Sequence, residues 1–160
     1  MTLRLKGCCD SCPPSTMGVC SSIFSIDVDW ASGYDLDVGV KYGNSKAGFD
    51  CSPTGNNPIW LGDDRRSGGK ETFFVETTQG STNSIDIFCH WYSGSNKIGG
   101  GTNVNIGNIN ITITVSDCSK TETKTVNTLN EHYGCSCDST NRKEAYVQIA
   151  SSGFWTLRTA

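Results

Sequence analysis

The chain has 160 residues, a net charge of −3 and a pI of about 5.3, which fits one domain that buries roughly 70% of its unfolded surface. The acidic balance, with no basic stripe carrying interleaved aromatics, excludes nucleic acid as the expected partner, and no apolar run reaches the roughly 18–20 residues that span a bilayer. Eighteen glycines and only two methionines, with abundant Ser, Thr and Asn, favour many short strands joined by turns over long helices.

In chain order, residues 1–7 lack the apolar stretch of a secretory signal. Cys8, Cys9, Cys12, Pro13, Pro14 and Cys20 then form a stretch in which the two prolines remove donors and fix φ. Residues 1–22 are therefore expected to be a cysteine-rich segment packed on a sandwich domain of residues 23–160. From 24 to 30, Phe24, Ile26, Val28 and Trp30 alternate with Ser25, Asp27 and Asp29. From 35 to 42, Leu36, Val38, Val40 and Tyr42 alternate with Asp35, Asp37 and Gly39. A period of two marks a half-buried strand, and the short 31–33 link predicts a hairpin between the two.

Residues 43–58, with Cys51, read as a long loop. A short strand at 59–61 runs into the glycine-rich, acidic loop that holds Asp63 and Asp64, and Glu71 opens the strand at 72–76. Ile85, Ile87, Cys89 and Trp91 alternate with Asp86, Phe88, His90 and Tyr92. The cleanest strand is 108–115, where Ile109, Ile111, Ile113 and Val115 alternate with Asn and Thr. Residues 120–126 predict an edge strand guarded by charge. A second cysteine loop holds Cys135 and Cys137, and strands at 146–150 and 154–158 close the chain. About eight strands with frequent turns predict an all-β, two-sheet antiparallel sandwich with cysteine-rich loops.

Asp35 and Asp37 lie two residues apart on the polar face of one strand, and Asp63, Asp64 and Glu71 flank a flexible loop. Carboxylates brought together repel unless a cation neutralises them. Hard oxygen donors on loops suit Ca²⁺, which takes about 6–8 oxygens. The same acids read as solvated turn residues in the plainer account.

Ile26-Asp27-Val28-Asp29-Trp30 followed by Asp35-Leu36-Asp37, and later Leu61-Gly62-Asp63-Asp64 through Lys70-Glu71, resemble the two motifs of the tellurium-resistance (TerD-like) family. The resemblance implies a calcium-binding β-sandwich with Asp35, Asp37, Asp63, Asp64 and Glu71 as ligands. Ser67-Gly68-Gly69-Lys70 stands where that family's loop carries further acids.

Nine cysteines cannot all pair within one chain. Disulfide stapling among Cys8, Cys9, Cys12, Cys20, Cys51, Cys118, Cys135 and Cys137 is the expectation. A Zn²⁺ or iron–sulfur site on Cys9, Cys12, Cys135 and Cys137 is the alternative. Cys89 falls on an inward strand position as a core thiol. His90 and His132, the two histidines, stand in no nucleophile elbow, phosphate loop or zinc-protease motif, so no enzyme is expected. Trp60, Trp91 and Trp155 fall on core positions, while Tyr92 is the exposed candidate for stacking on a glycan.

The chain thus reads as a structural or adhesion component of an extracellular or virion assembly such as a phage tail. In that reading it is calcium-stabilised, disulfide-stapled and partnered by other subunits. An intracellular, cytoplasmic TerD-like calcium-binding stress protein and a carbohydrate-binding module are the alternatives.

Overall fold

A computed structural model describes residues 21–30, 34–48, 55–62, 69–94, 108–129 and 143–160. They form ten strands and no helix: β1 Ser21–Trp30, β2 Tyr34–Tyr42, β3 Ser45–Gly48, β4 Ile59–Trp60, β5 Lys70–Thr78, β6 Ile85–Gly94, β7 Asn108–Ser116, β8 Thr121–Leu129, β9 Lys143–Ile149 and β10 Trp155–Thr159. One five-stranded sheet has the order β4-β5-β1-β7-β8 and the other β10-β9-β6-β2-β3. Every pairing is antiparallel.

The period-two patterns explain why two sheets form and why they stack. Phe24, Ile26, Val28 and Trp30 of β1, Phe73 and Val75 of β5, and Ile111, Ile113 and Val115 of β7 make one buried face. Leu36, Val38 and Val40 of β2, Ile85, Ile87 and Cys89 of β6, Ala145, Val147 and Ile149 of β9, and Trp155 and Leu157 of β10 make the other. Both belong to a single core cluster. Full burial of each Val, Leu, Ile or Phe contributes about 1.5–3 kcal/mol, so the inner faces hold the layers together. Phe24 and Trp155 meet edge-on across them, with ring centroids 5.3 Å apart.

Two expectations are corrected. β1 and β2 lie in different sheets, so residues 31–33 link the two layers and close no hairpin. Each strand carries its own apolar face, and β1 satisfies its edges on β5 and β7 instead. The expected 43–58 loop also contains β3, which pairs with β2 after a two-residue turn whose Gly43 has φ of +59°, a left-handed value suited to a tight hairpin. β1 begins at Ser21, two residues before the anticipated domain start. β8 ends its sheet as expected.

The pairings also orient the molecule. Trp30 of β1 stands opposite Ile111 near the start of β7, and Asp29 opposite Lys70 at the start of β5. Tyr34 at the start of β2 faces Gly94 at the end of β6. Asn108 at the start of β7 faces Leu129 at the end of β8. The strand ends that flank residues 31–33, 63–68 and 95–107, and the end of β8, therefore stand at one pole, while β9 starts part-way along the sheet, opposite Phe88. The turns at 43–44, 79–84, 117–120 and 150–154 stand at the other.

Candidate metal centre at the acidic pole

The acidic pole is built on pinned strand ends. Trp30 N–H donates to Gly69 O at 3.0 Å, and Leu61 N–H donates to Thr72 O at 3.0 Å. Both ends of the stretch that contains Asp63 and Asp64 are thus fixed to β1 and β5. On the outer face of this sheet, Thr72 Oγ1 donates to Asp27 Oδ1 at 2.6 Å. Asp29 stands beside it, across from Lys70. Burial raises the Asp29 carboxyl above its ordinary value; the Lys70 charge pulls it back and the Asp27 charge adds to the rise.

Four polar or charged residues are buried among the described ones, and three are carboxylates: Asp37, Glu71 and Glu144, with Thr77 the fourth. Burying a carboxylate is expensive unless donors or a cation compensate it, so this concentration calls for a physical reason. Glu71 shares the inward face of β5 with Phe73 and Val75. Trp60 Nε1 donates to its Oε2 at 3.2 Å, and the Trp60 ring stacks on Phe73 at 6.4 Å. β4 is therefore held to β5 by side chains as well as by its short ladder.

Glu144 reaches the interior through an irregularity. Ile87 pairs with Ala145 and Phe88 with Lys143, which leaves Glu144 as an extra residue in β9. A bulge of this kind leaves the extra residue unpaired and disturbs the ladder locally, and Glu144 is buried along with Ala145. Lys143 points outward instead and meets Asp86 Oδ1 at 3.4 Å. Cys89 is the third member of this interior group. Burial pushes its thiol well above the ordinary range, and the charges of Glu144 and Glu71 push it further. It is a buried core thiol, as the strand pattern implied.

Asp37 is placed differently. It alternates with the core residues Leu36, Val38 and Val40, so its side chain leaves the outer face of its sheet, the face opposite the core. It is nonetheless buried, at 1% exposed, and so is Phe88 on the outer face of β6, at 7%. Asp37 and Glu71 thus stand near the same pole, Asp37 on the outer face of one sheet and Glu71 on the inner face of the other.

Of the remaining candidate ligands, Asp35 lies in β2, next to a bulge at the β2–β6 pairing, and Asp63 and Asp64 lie outside the described residues. Among the described residues no three His, Cys, Asp or Glu side chains are grouped to hold a metal ion. Cys8, Cys9, Cys12, Cys20, Cys51, Cys135 and Cys137 also lie outside them. Cys118 is exposed in the β7–β8 turn, and neither it nor Cys89 forms a disulfide with another described residue.

Glu144 escaped sequence reasoning because nothing in Lys143-Glu144-Ala145 signals a bulge; the register with β6 creates it. The burial of Asp37 was equally hidden, since a lone Asp between apolar residues reads as solvated. Trp155 is buried and Trp60 is packed partly against the core, as their strand positions imply; the side chain of Tyr92, the candidate for stacking on a glycan, lies outside the described ones. No helix among the described residues is long and apolar enough to cross a membrane. Comparison of the chain with protein-family models, with curated proteins and with solved structures returns no match.

Proposed function

We propose that this chain is a non-enzymatic building block of an extracellular or virion assembly, and that Ca²⁺ at the acidic pole fixes the ends of its strands. The observation that carries the reading is topological. The strand ends beside Asp35, Asp37, the 63–64 pair and Glu71 stand at one pole, where Glu71 is buried on the inner face of one sheet and Asp37 on the outer face of the other. The donor set is all oxygen, which suits a hard cation. The ten described strands share one core that can carry such a site, and an odd number of cysteines leaves one for a link to a neighbouring subunit.

Native mass spectrometry tests both halves of the reading, with and without reductant and chelator. The expected spectrum shows multimers that retain calcium, lose it to chelator, and lose part of their crosslinking to reductant. A monomer that carries no calcium under any of these conditions contradicts the reading.

A further inference from the structure

The exposed edge of β8 is the surface where an assembly could begin. Among the described residues β8 ends its sheet, and it runs nine residues, Thr-Glu-Thr-Lys-Thr-Val-Asn-Thr-Leu. A long, exposed, β-branched edge is a template for further pairing unless something blocks it. The hairpin fixes which of its backbone groups are available. Asp117 N–H donates to Lys120 O at 3.0 Å, so 117 and 120 form a hydrogen-bonded pair. Pairs alternate along an antiparallel ladder. Glu122, Lys124 and Val126 therefore bond back to Val115, Ile113 and Ile111. The N–H and C=O groups of Thr121, Thr123, Thr125 and Asn127 point off the edge of the sheet.

The side chains are equally ordered. On the outer face Thr114 and Thr123 hydroxyls lie 3.3 Å apart, and those of Ser116 and Thr121 2.9 Å apart. On the other face stand Glu122 and Lys124. Glu122 is held in place, since Leu157 N–H donates to its Oε2 at 2.5 Å and Lys120 Nζ lies 3.5 Å from its Oε1. Lys124 is exposed.

We propose that β8 pairs antiparallel with β8 of a second copy of this chain, about a two-fold axis at Thr123. That register sets Thr121 opposite Thr125 and Thr123 opposite itself, so the outward backbone groups become hydrogen-bonded pairs and the threonine rows continue across the junction. It also sets Glu122 opposite Lys124 of the second copy, twice by symmetry. Cross-strand opposite charges attract where like charges repel. The two charges that discourage foreign strands thus select a copy of the same strand. A register centred on Thr125 overlaps more residues, but sets Lys124 against Val126 and Glu122 against Thr128 and forms no charge pair. The pairing supplies a surface for the assembly reading above, and it stands independently of calcium.

The test is sedimentation equilibrium of the full chain in reductant and chelator, with carbodiimide crosslinking of mixed ¹⁴N and ¹⁵N copies. A dimer is expected, with a Glu122–Lys124 crosslink joining light to heavy chains. T123P removes a donor that only the pairing uses, a position where edge strands tolerate proline. It is expected to yield a folded monomer whose melting temperature, unlike that of the wild type, no longer depends on protein concentration. K124E, at an exposed site, sets four carboxylates together and is expected to weaken dimerisation at least about tenfold. A wild-type monomer at the highest soluble concentration overturns the proposal. So does a dimer indifferent to both variants, or a heavy–light crosslink in another register. With calcium titrated separately in the absence of chelator, a dimer that binds no calcium sinks the calcium reading alone, and a monomer that binds calcium sinks the pairing alone.

Discussion

Single residues at the turns and in the core carry consequences that can be measured. Asp117 Oδ1 accepts from Ser119 N at 2.8 Å, Ser119 Oγ at 2.6 Å and Lys120 N at 3.0 Å. Burial alone would raise its carboxyl, but these bonds outweigh burial and hold it below the ordinary value. A carboxyl depressed in the folded state stabilises fully above its unfolded pKa, about 4, and loses that contribution as pH falls through the folded value. Acid unfolding of D117N should therefore show a shallower limb below about pH 4, and D117A should cost about 1–2 kcal/mol. Cys89 has the opposite sign. Its thiol is raised in the fold, so stability should fall as pH rises past about 8.5, where the unfolded chain begins to ionise. C89V should flatten that alkaline slope, as followed by denaturant melts across pH. Gly48 has φ of +135°, and a Cβ built there would lie 2.3 Å from Val38 O and 2.8 Å from Gly39 Cα, both rigid backbone. G48A should cost about 3 kcal/mol or more, read from the shift in denaturant midpoint.

At the scale of elements, the strands most legible in the sequence were those with an unbroken period of two. β1, β2 and β7 announce themselves in this way, because each has one face in a shared core. β3 was not legible: Ser45-Lys46-Ala47-Gly48 has no alternation of large apolar residues, and it is a strand because β2 offers it an edge. The pairing of β1 was not legible either, since its apolar face fits either sheet, and only the three-dimensional arrangement assigns it to β5 and β7. The two edge strands β8 and β10 belong to different sheets and are tied by Lys120 and Glu122. The Lys120 ammonium sits 4.5 Å from the Phe154 ring centroid and 4.4 Å from that of Trp155, and donates to Trp155 O. Attraction to ring faces is worth about 0.5–2 kcal/mol depending on desolvation. K120A should therefore lower stability by about 1–2 kcal/mol, and should lose more than K120R does in a thermal melt.

For the whole molecule, the sandwich follows from composition and pattern, but the acidic pole follows only in part. Sequence order brings Asp35 and Asp37 close along the chain and Glu71 to a strand start. It does not reveal that Asp37 is buried on the outer face of its sheet and Glu71 on the inner face of the other, or that a bulge adds Glu144 to the buried acids. These features depend on register and on layer, which no local pattern encodes. Glu71 is the discriminating candidate, because Trp60 Nε1 already engages its Oε2. If Glu71 serves calcium, E71Q should reduce the calcium-dependent gain in stability; if it serves only β4, E71Q should lower the melting temperature equally with calcium and with chelator. The most direct measurement is the thermal melt of the wild-type chain in chelator and in rising calcium. A ligand that binds only the folded form at about a hundred times its Kd adds ~2.7 kcal/mol, which for a chain of this size raises the midpoint by about 5–10 °C. That rise, saturating with calcium, is the predicted result, and superimposable melting curves in chelator and in saturating calcium would contradict the account.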